Sequence, residues 1–143
     1  MEFIYSDGGR SKYFKAQNVG DCVTRAICNA TGKDYLEVYS KLKELAKQER
    51  ITKRNKTQST VRDGTSMTTS KKYIENILGW KWHSCSGIGM SERTHLTESE
   101  VPSGTIIARL SKHFTCVKDG VLIDTYDCSR DGTRMIYGYW SED

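Results

Sequence analysis

The sequence predicts a single α+β domain spanning residues 1–143, helices first and antiparallel strands after them. Three observations predict it. Apolar residues recur at helical spacing in three stretches before residue 80. Beyond that point the chain turns to short runs rich in β-branched and aromatic residues. Asp119-Gly120 separates two of these runs, a strong signal for a two-residue hairpin. At 143 residues the chain has the size of one ordinary domain. Such a chain can bury about two-thirds of its unfolded surface without disulfide or metal staples.

The first helix is expected to open at Cys22, with Asp21 as N-cap and Gly32 as its stop; Val23, Ala26, Ile27 and Ala30 form the buried stripe. The second follows Asp34, where Glu37 stands three residues on in a capping-box arrangement. Val38, Leu42 and Leu45 are its stripe, with Tyr35 and Tyr39 alongside. The third is expected over Ser66 to Leu78, burying Ile74, Ile77 and Leu78, and closing at Gly79. Strands are expected at 80–84, 105–110, 113–118, 121–126 and 135–140. Gln48 to Gly64 is polar and nearly free of large apolar side chains, and reads as a long surface loop or flap.

Composition removes several classes of function. No apolar run approaches the roughly 20 residues of a membrane helix, and the N-terminal MEFIYSDGGRSKYF has no signal core. A membrane or secreted protein is therefore not expected, and the expected location is the cytoplasm. The five cysteines are odd in number and none pair as CxxC, and histidines number three, so neither a zinc knuckle nor a metal cofactor is expected. Cys28 and Cys116 read as small core residues, whereas Cys85, in the glycine-rich SCSGIGMS, is expected to be exposed. His83 and His95 read as structural or surface residues, with a cleft-lining place open to His95. Trp80 and Trp82 read as packing residues. The net charge of +4 is uneven: Lys41 to Lys72 holds ten basic and three acidic residues, a local +7. That segment is either a solvated face or a rim for an acidic partner, protein or nucleic acid. A nucleic-acid enzyme is disfavoured, because no phosphate-binding loop and no carboxylate cluster for magnesium can be read.

The hairpin provides a geometric argument for chemistry. With a two-residue turn at Asp119-Gly120, Lys118 pairs with Val121, Thr115 faces Asp124 and His113 faces Tyr126. Side chains alternate, so His113, Thr115, Asp124 and Tyr126 share one face, and His113 and Asp124 are diagonal neighbours. An acid beside a histidine fixes its tautomer and stabilises its cation. Asp127, the alternative acid, has the opposite parity and suits a role capping the turn through Ser129 to Gly132. Cys22, at a helix start where N–H groups and the helix dipole favour a thiolate, is the candidate nucleophile. Its own backbone N–H and a side-chain amide from Gln17 or Asn18, Gln17 being favoured, are candidates for the oxyanion hole.

The order Cys, His, Asp, with the cysteine on an N-terminal helix and the other two on a later sheet, resembles the papain-like cysteine peptidase superfamily. Gln17-Asn18-Val19-Gly20-Asp21-Cys22 is similar to the calpain-type segment before the nucleophile, and Gly20 to Ile27 (GDCVTRAI) to that of ovarian-tumour-type deubiquitinases. Ser111 to Asp127 (SKHFTCVKDGVLIDTYD) resembles the His-and-Asp hairpin of bacteriocin-processing peptidases. Over nearly the whole chain, the GDCV-x-RAI helix, the GWKW step, the SKH strand and the DTYD…GTR…YGYW ending resemble small phage and bacterial proteins. Asp127-Cys128-Ser129 echoes cell-wall peptidases of the NlpC type, but no histidine follows Cys128 as it does there. The resemblance implies a papain-like fold with the nucleophile helix packed on the sheet, in a bacterial or phage-infected cell. It implies cleavage of a peptide, isopeptide or related acyl bond in a peptide or protein substrate, with no cofactor. The other reading is a catalytically inactive binding module that engages its partner through the basic 41–72 segment.

Overall fold

The computed structural model describes residues 1–16, 19–54, 56–85 and 94–143. Its described part is α+β: three helices and a six-stranded mixed sheet of order β1-β5-β4-β3-β6-β2. The strands are β1 (Phe3–Tyr5), β2 (Lys81–Ser84), β3 (Thr105–Leu110), β4 (His113–Lys118), β5 (Val121–Asp124) and β6 (Gly138–Ser141). The helices are α1 (Cys22–Thr31), α2 (Tyr35–Ala46) and α3 (Met67–Lys71). None of the described helices is long and apolar enough to cross a membrane.

The helix starts and stops follow local chemistry. α1 ends where Gly32 adopts a left-handed conformation and its N–H returns to Cys28 O. Asp34 caps α2 by accepting from the Glu37 N–H at 3.3 Å, and Ser66 caps α3 by accepting from Thr69 N–H at 3.2 Å. The third helix departs from expectation. After Lys71 it continues as a π-helical turn over Lys72–Ile77, and the Leu78 N–H reaches back to Tyr73 O. The widened turn inserts one extra residue and rotates the stripe by one position. Ile74 stays fully buried and Leu78 packs against the core, but Ile77 is 44% exposed instead of buried.

Three further corrections concern the sheet. β1, too short for a period-2 pattern, pairs with β5 in parallel, so the sheet is mixed where antiparallel pairing was expected. The run after Asp119-Gly120 ends as a strand at Asp124, two residues early. The last strand begins at Gly138, and Met135 lies outside it, in an isolated bridge to His95.

The β4–β5 hairpin itself has the expected register. Lys118 pairs with Val121, and Asp119 and Gly120 both take positive φ (47° and 80°), the two left-handed residues a tight hairpin turn needs. β3 and β4 join through the equally tight Ser111-Lys112, which pairs Leu110 with His113. α1 packs on β4, β3 and β5. Val23, Ile27, Val38, Leu42, Ile74 and Trp140 belong to one apolar cluster joining helices and sheet. Leu96, Ile106, Leu110, Val117, Leu122 and Ile136 belong to a second. Two clusters clamp β4 and β5 between them, which fixes the strands that carry His113 and Asp124.

The polar segment after α2 is irregular, as expected of a flap, but it is pinned. Val61 is buried. Glu49 accepts from Ser59 N–H at 2.6 Å, from Ser66 Oγ at 2.7 Å, and from the Ser59 and Thr69 hydroxyls. One carboxylate thus ties both ends of the loop to the start of α3.

Candidate functional site

The site begins with the residues before α1. A Cβ on Gly20 would lie 2.6 Å from the Asp63 carbonyl oxygen, so only glycine lets the two backbones meet there. Asp21 then occupies the N-cap position without capping: its side chain makes no hydrogen bond to the helix N–H groups. The carboxylate instead turns inward and accepts from Arg10 at 3.0 Å, from Arg25 and from the Tyr35 hydroxyl. Two guanidinium groups outbid neutral N–H donors for a buried anion, because charge-assisted hydrogen bonds are roughly twice as strong. The expected cap is corrected accordingly, and Asp21 anchors the first turn of α1 to the protein interior.

Arg25, one turn along, carries this anchor to the sheet. Its other terminal nitrogen lies 3.5 Å from Asp124 Oδ1 at the end of β5. Arg10, Asp21, Arg25 and Asp124 are all buried and alternate in sign, so each charge has an opposite neighbour.

Asp124 is the hub. Oδ2 accepts from His113 Nε2 at 2.7 Å and from Thr115 Oγ1 at 2.7 Å; Oδ1 accepts from the Thr125 N–H at 2.7 Å. With Nε2 held by Asp124, Nδ1 is the ring nitrogen left to face Cys22, which lines the same cleft as His113. Tyr126 flanks the imidazole, ring centroids 5.4 Å apart. The structure therefore brings together Cys22, His113 and Asp124. Asp127 turns away and accepts from Ser129 N–H and Oγ at 3.0 and 2.6 Å, the turn-capping arrangement. Gln17 and Asn18 lie outside the described residues.

The electrostatics favour an ion pair. Burial alone pushes the Cys22 thiol up. The His113 hydrogen bond and charge, the Phe114 N–H and the Arg25 guanidinium outweigh it and hold the thiol below its ordinary value. Burial alone pulls His113 down, but hydrogen bonds to Asp124, Cys128 and Cys22, with the Asp124 charge, raise it far above the usual imidazole range. Burial raises Asp124, and His113, Thr115 and the Thr125 N–H bring it below its ordinary value. The contrast with other thiols is sharp: burial drives Cys28 and Cys116 up to about 12. Burial also raises Cys85, which is buried rather than exposed as expected, its N–H bonded to Tyr137 O.

Cys22 and His113 open onto a cleft of about 580 Å³. Asp63, Thr65, Arg109, Lys112, Tyr126 and Tyr137 are among its lining residues. Arg25 Nε and Thr65 Oγ1, of two residues that line this cleft, are buried polar atoms without a hydrogen-bond partner among the described residues. His95 does not line it and pairs with Glu100 at 3.2 Å. His83 stacks on Tyr139 and bonds Ser141. Trp80 is buried and Trp82 packs on Trp140.

Sequence reasoning missed Arg10, Asp21, Arg25 and Cys128 as parts of the site. The i,i+4 spacing of Asp21 and Arg25 was a readable signal. Arg10 and Cys128 arrive through loops and had none. Comparison with family models, with curated proteins and with solved structures finds no match, so the argument for this site rests on its geometry.

Proposed function

We propose that this protein is a cysteine hydrolase with a papain-like arrangement, cleaving a peptide, isopeptide or related acyl bond. The observation that carries this reading is the 2.7 Å His113–Asp124 bond with Cys22 and His113 on one cleft, supported by a Cys22 thiol that His113 holds below its ordinary value. The Cys22 thiolate attacks the acyl carbon. The proton held by His113 passes to the leaving amine, and a thioester forms on Cys22. Water, deprotonated by His113, then releases the acid and regenerates the thiol. Asp124 orients the imidazole and stabilises its cation. The Cys22 backbone N–H and Gln17 are the proposed oxyanion donors. Peptide or protein is the proposed substrate, and the cytoplasm of a bacterial or phage-infected cell the proposed setting.

The test uses p-nitrophenyl acetate as acyl donor, with intact and peptide mass spectrometry as the readout. The reading expects a single acetyl group on Cys22, its formation slowed by His113→Ala and absent in Cys22→Ala. Acetylation spread evenly over lysines and other cysteines would sink it.

One observation favours a second reading, a binding module without turnover. Lys53, Arg54 and Lys56 are exposed on the pinned loop, free to meet an acidic partner. Salt-sensitive binding of polyglutamate or of a DNA duplex that survives Cys22→Ala, but not neutralisation of these three side chains, would support it.

A further inference from the structure

Cys128 has no part in the proposed reaction, yet it lies against the triad. It is buried, and its Sγ is 3.7 Å from Asp124 Oδ2, the same oxygen that accepts from His113 Nε2. One donor atom from each of His113, Asp124 and Cys128 lies within 4.8 Å of the other two. One imidazole, one carboxylate and one thiol is a donor set that suits zinc and not magnesium or calcium, which take oxygen ligands. The spacing suits it as well. Bond lengths of roughly 2.0–2.3 Å in a tetrahedral site separate oxygen and sulfur ligands by about 3.6 Å and nitrogen and oxygen by about 3.3 Å. The sulfur–oxygen pair already stands there, and the Nε2–Oδ2 pair must open by roughly half an ångström.

The outer partners are also in place. Thr125 N–H and Arg25 hold Oδ1, and Thr115 Oγ1 holds Oδ2, so the carboxylate keeps its orientation when Nε2 leaves it. The sequence argument against zinc looked for CxxC spacing. Here the ligands come from the start of β4, the end of β5 and the turn after it, which no local spacing rule detects.

We propose that His113, Asp124 and Cys128 form an inhibitory zinc site, in which the ion takes the histidine away from its catalytic partner. Binding releases the thiol proton of Cys128 and the proton on His113 Nε2 to solvent. The ion's two positive charges then meet one thiolate and one carboxylate, and water takes the fourth position. Metal binding stands on the geometry alone. That it inhibits rests on the hydrolase reading above.

The experiment titrates Co²⁺ and Zn²⁺ into the full chain, into Cys22→Ala, and into Cys128→Ala and Cys128→Ser. The proposal expects a thiolate-to-cobalt charge-transfer band at one ion per chain, displaced by Zn²⁺ and present in Cys22→Ala. Both Cys128 variants should lose it, with zinc affinity down at least 100-fold, since loss of an outer partner alone costs about 10–100-fold. Zinc should also slow iodoacetamide labelling of Cys22 in the native chain but not in the Cys128 variants, each compared with its own metal-free rate. A band that survives in the Cys128 variants and vanishes in Cys22→Ala would place the metal on the nucleophile and overturn the proposal, as would no band at all. An unreactive Cys22 in metal-free protein would instead remove the hydrolase reading and leave the metal site standing.

Discussion

The two polar regions of this protein treat charge in opposite ways. At the start of α1 and the end of the β4–β5 hairpin, Arg10, Asp21, Arg25, His113 and Asp124 are buried and bonded to one another. In the segment after α2, Lys53, Arg54 and Lys56 face solvent, and one carboxylate, Glu49, holds the loop's ends. A buried charge has to find its partner, so it fixes geometry. An exposed charge sets only a field, and that field is screened within about 8–10 Å at moderate salt. Position in the fold, and not the density of charged residues, separates a site from a solvated surface.

Replacing acids tests this contrast most severely. Asp124→Asn should return Cys22 toward an ordinary thiol, cutting its labelling rate at pH 6 by up to about 300-fold, the limit set by the thiolate fraction at a pKa near 8.5. Asp127→Asn, three residues away, should leave that rate unchanged. Equal effects would mean that Asp124 does not act through His113.

Asp21→Asn should destabilise the fold by about 3–5 kcal/mol, because it leaves Arg10 and Arg25 buried without their anion. Urea unfolding followed by circular dichroism checks this, and a cost below 1 kcal/mol would show that the network is incidental.

Glu49→Gln should cost about 1 kcal/mol at neutral pH, the scale of a charge-assisted hydrogen bond in a partly exposed place. Burial raises the Glu49 carboxyl, but hydrogen bonds from Ser59, Ser66 and Thr69 outweigh it and bring it down to about 2. A depressed acid stabilises above its unfolded pKa of about 4.3 and loses that contribution as pH falls through the folded value. The difference in melting temperature between Glu49→Gln and the native chain should therefore close between about pH 4.5 and pH 2. The smallest effect belongs to the exposed charges. Changing Lys53, Arg54 and Lys56 together to glutamine should move stability by no more than about 0.5 kcal/mol and leave Cys22 labelling untouched.

Those outcomes bear on what a sequence can reveal. The α+β order, the start of α1 and the juxtaposition of His113 with Asp124 were legible because each depends on local rules: a helical stripe, a glycine stop and an Asp-Gly turn whose register propagates along two strands. Rejecting Asp127 on parity needed nothing more. The inward turn of Asp21 was not legible, because capping is a local expectation and Arg10 and Tyr35 reach it from distant segments. Ile77 was misplaced because one π turn shifts a stripe that periodicity assumes to be constant. β1 is three residues long, and its partner follows it by more than a hundred positions, so pairing with β5 had no local signature. Cys128 was dismissed for want of a following histidine, when the nearby histidine precedes it.

The central claim is that the buried network makes Cys22, alone among the thiols, a nucleophile at neutral pH. Iodoacetamide labelling of each cysteine between pH 5 and 9, read by peptide mass spectrometry in the native chain and in His113→Ala, tests it directly. Because the Cys22 thiol is held below its ordinary value and His113 above, the native rate should fall less steeply than that of His113→Ala as pH falls from 8 through 7. In His113→Ala it should drop about tenfold per pH unit below the ordinary thiol value. A native Cys22 that labels no faster than Cys85, or whose pH profile is unmoved by loss of His113, would contradict the account.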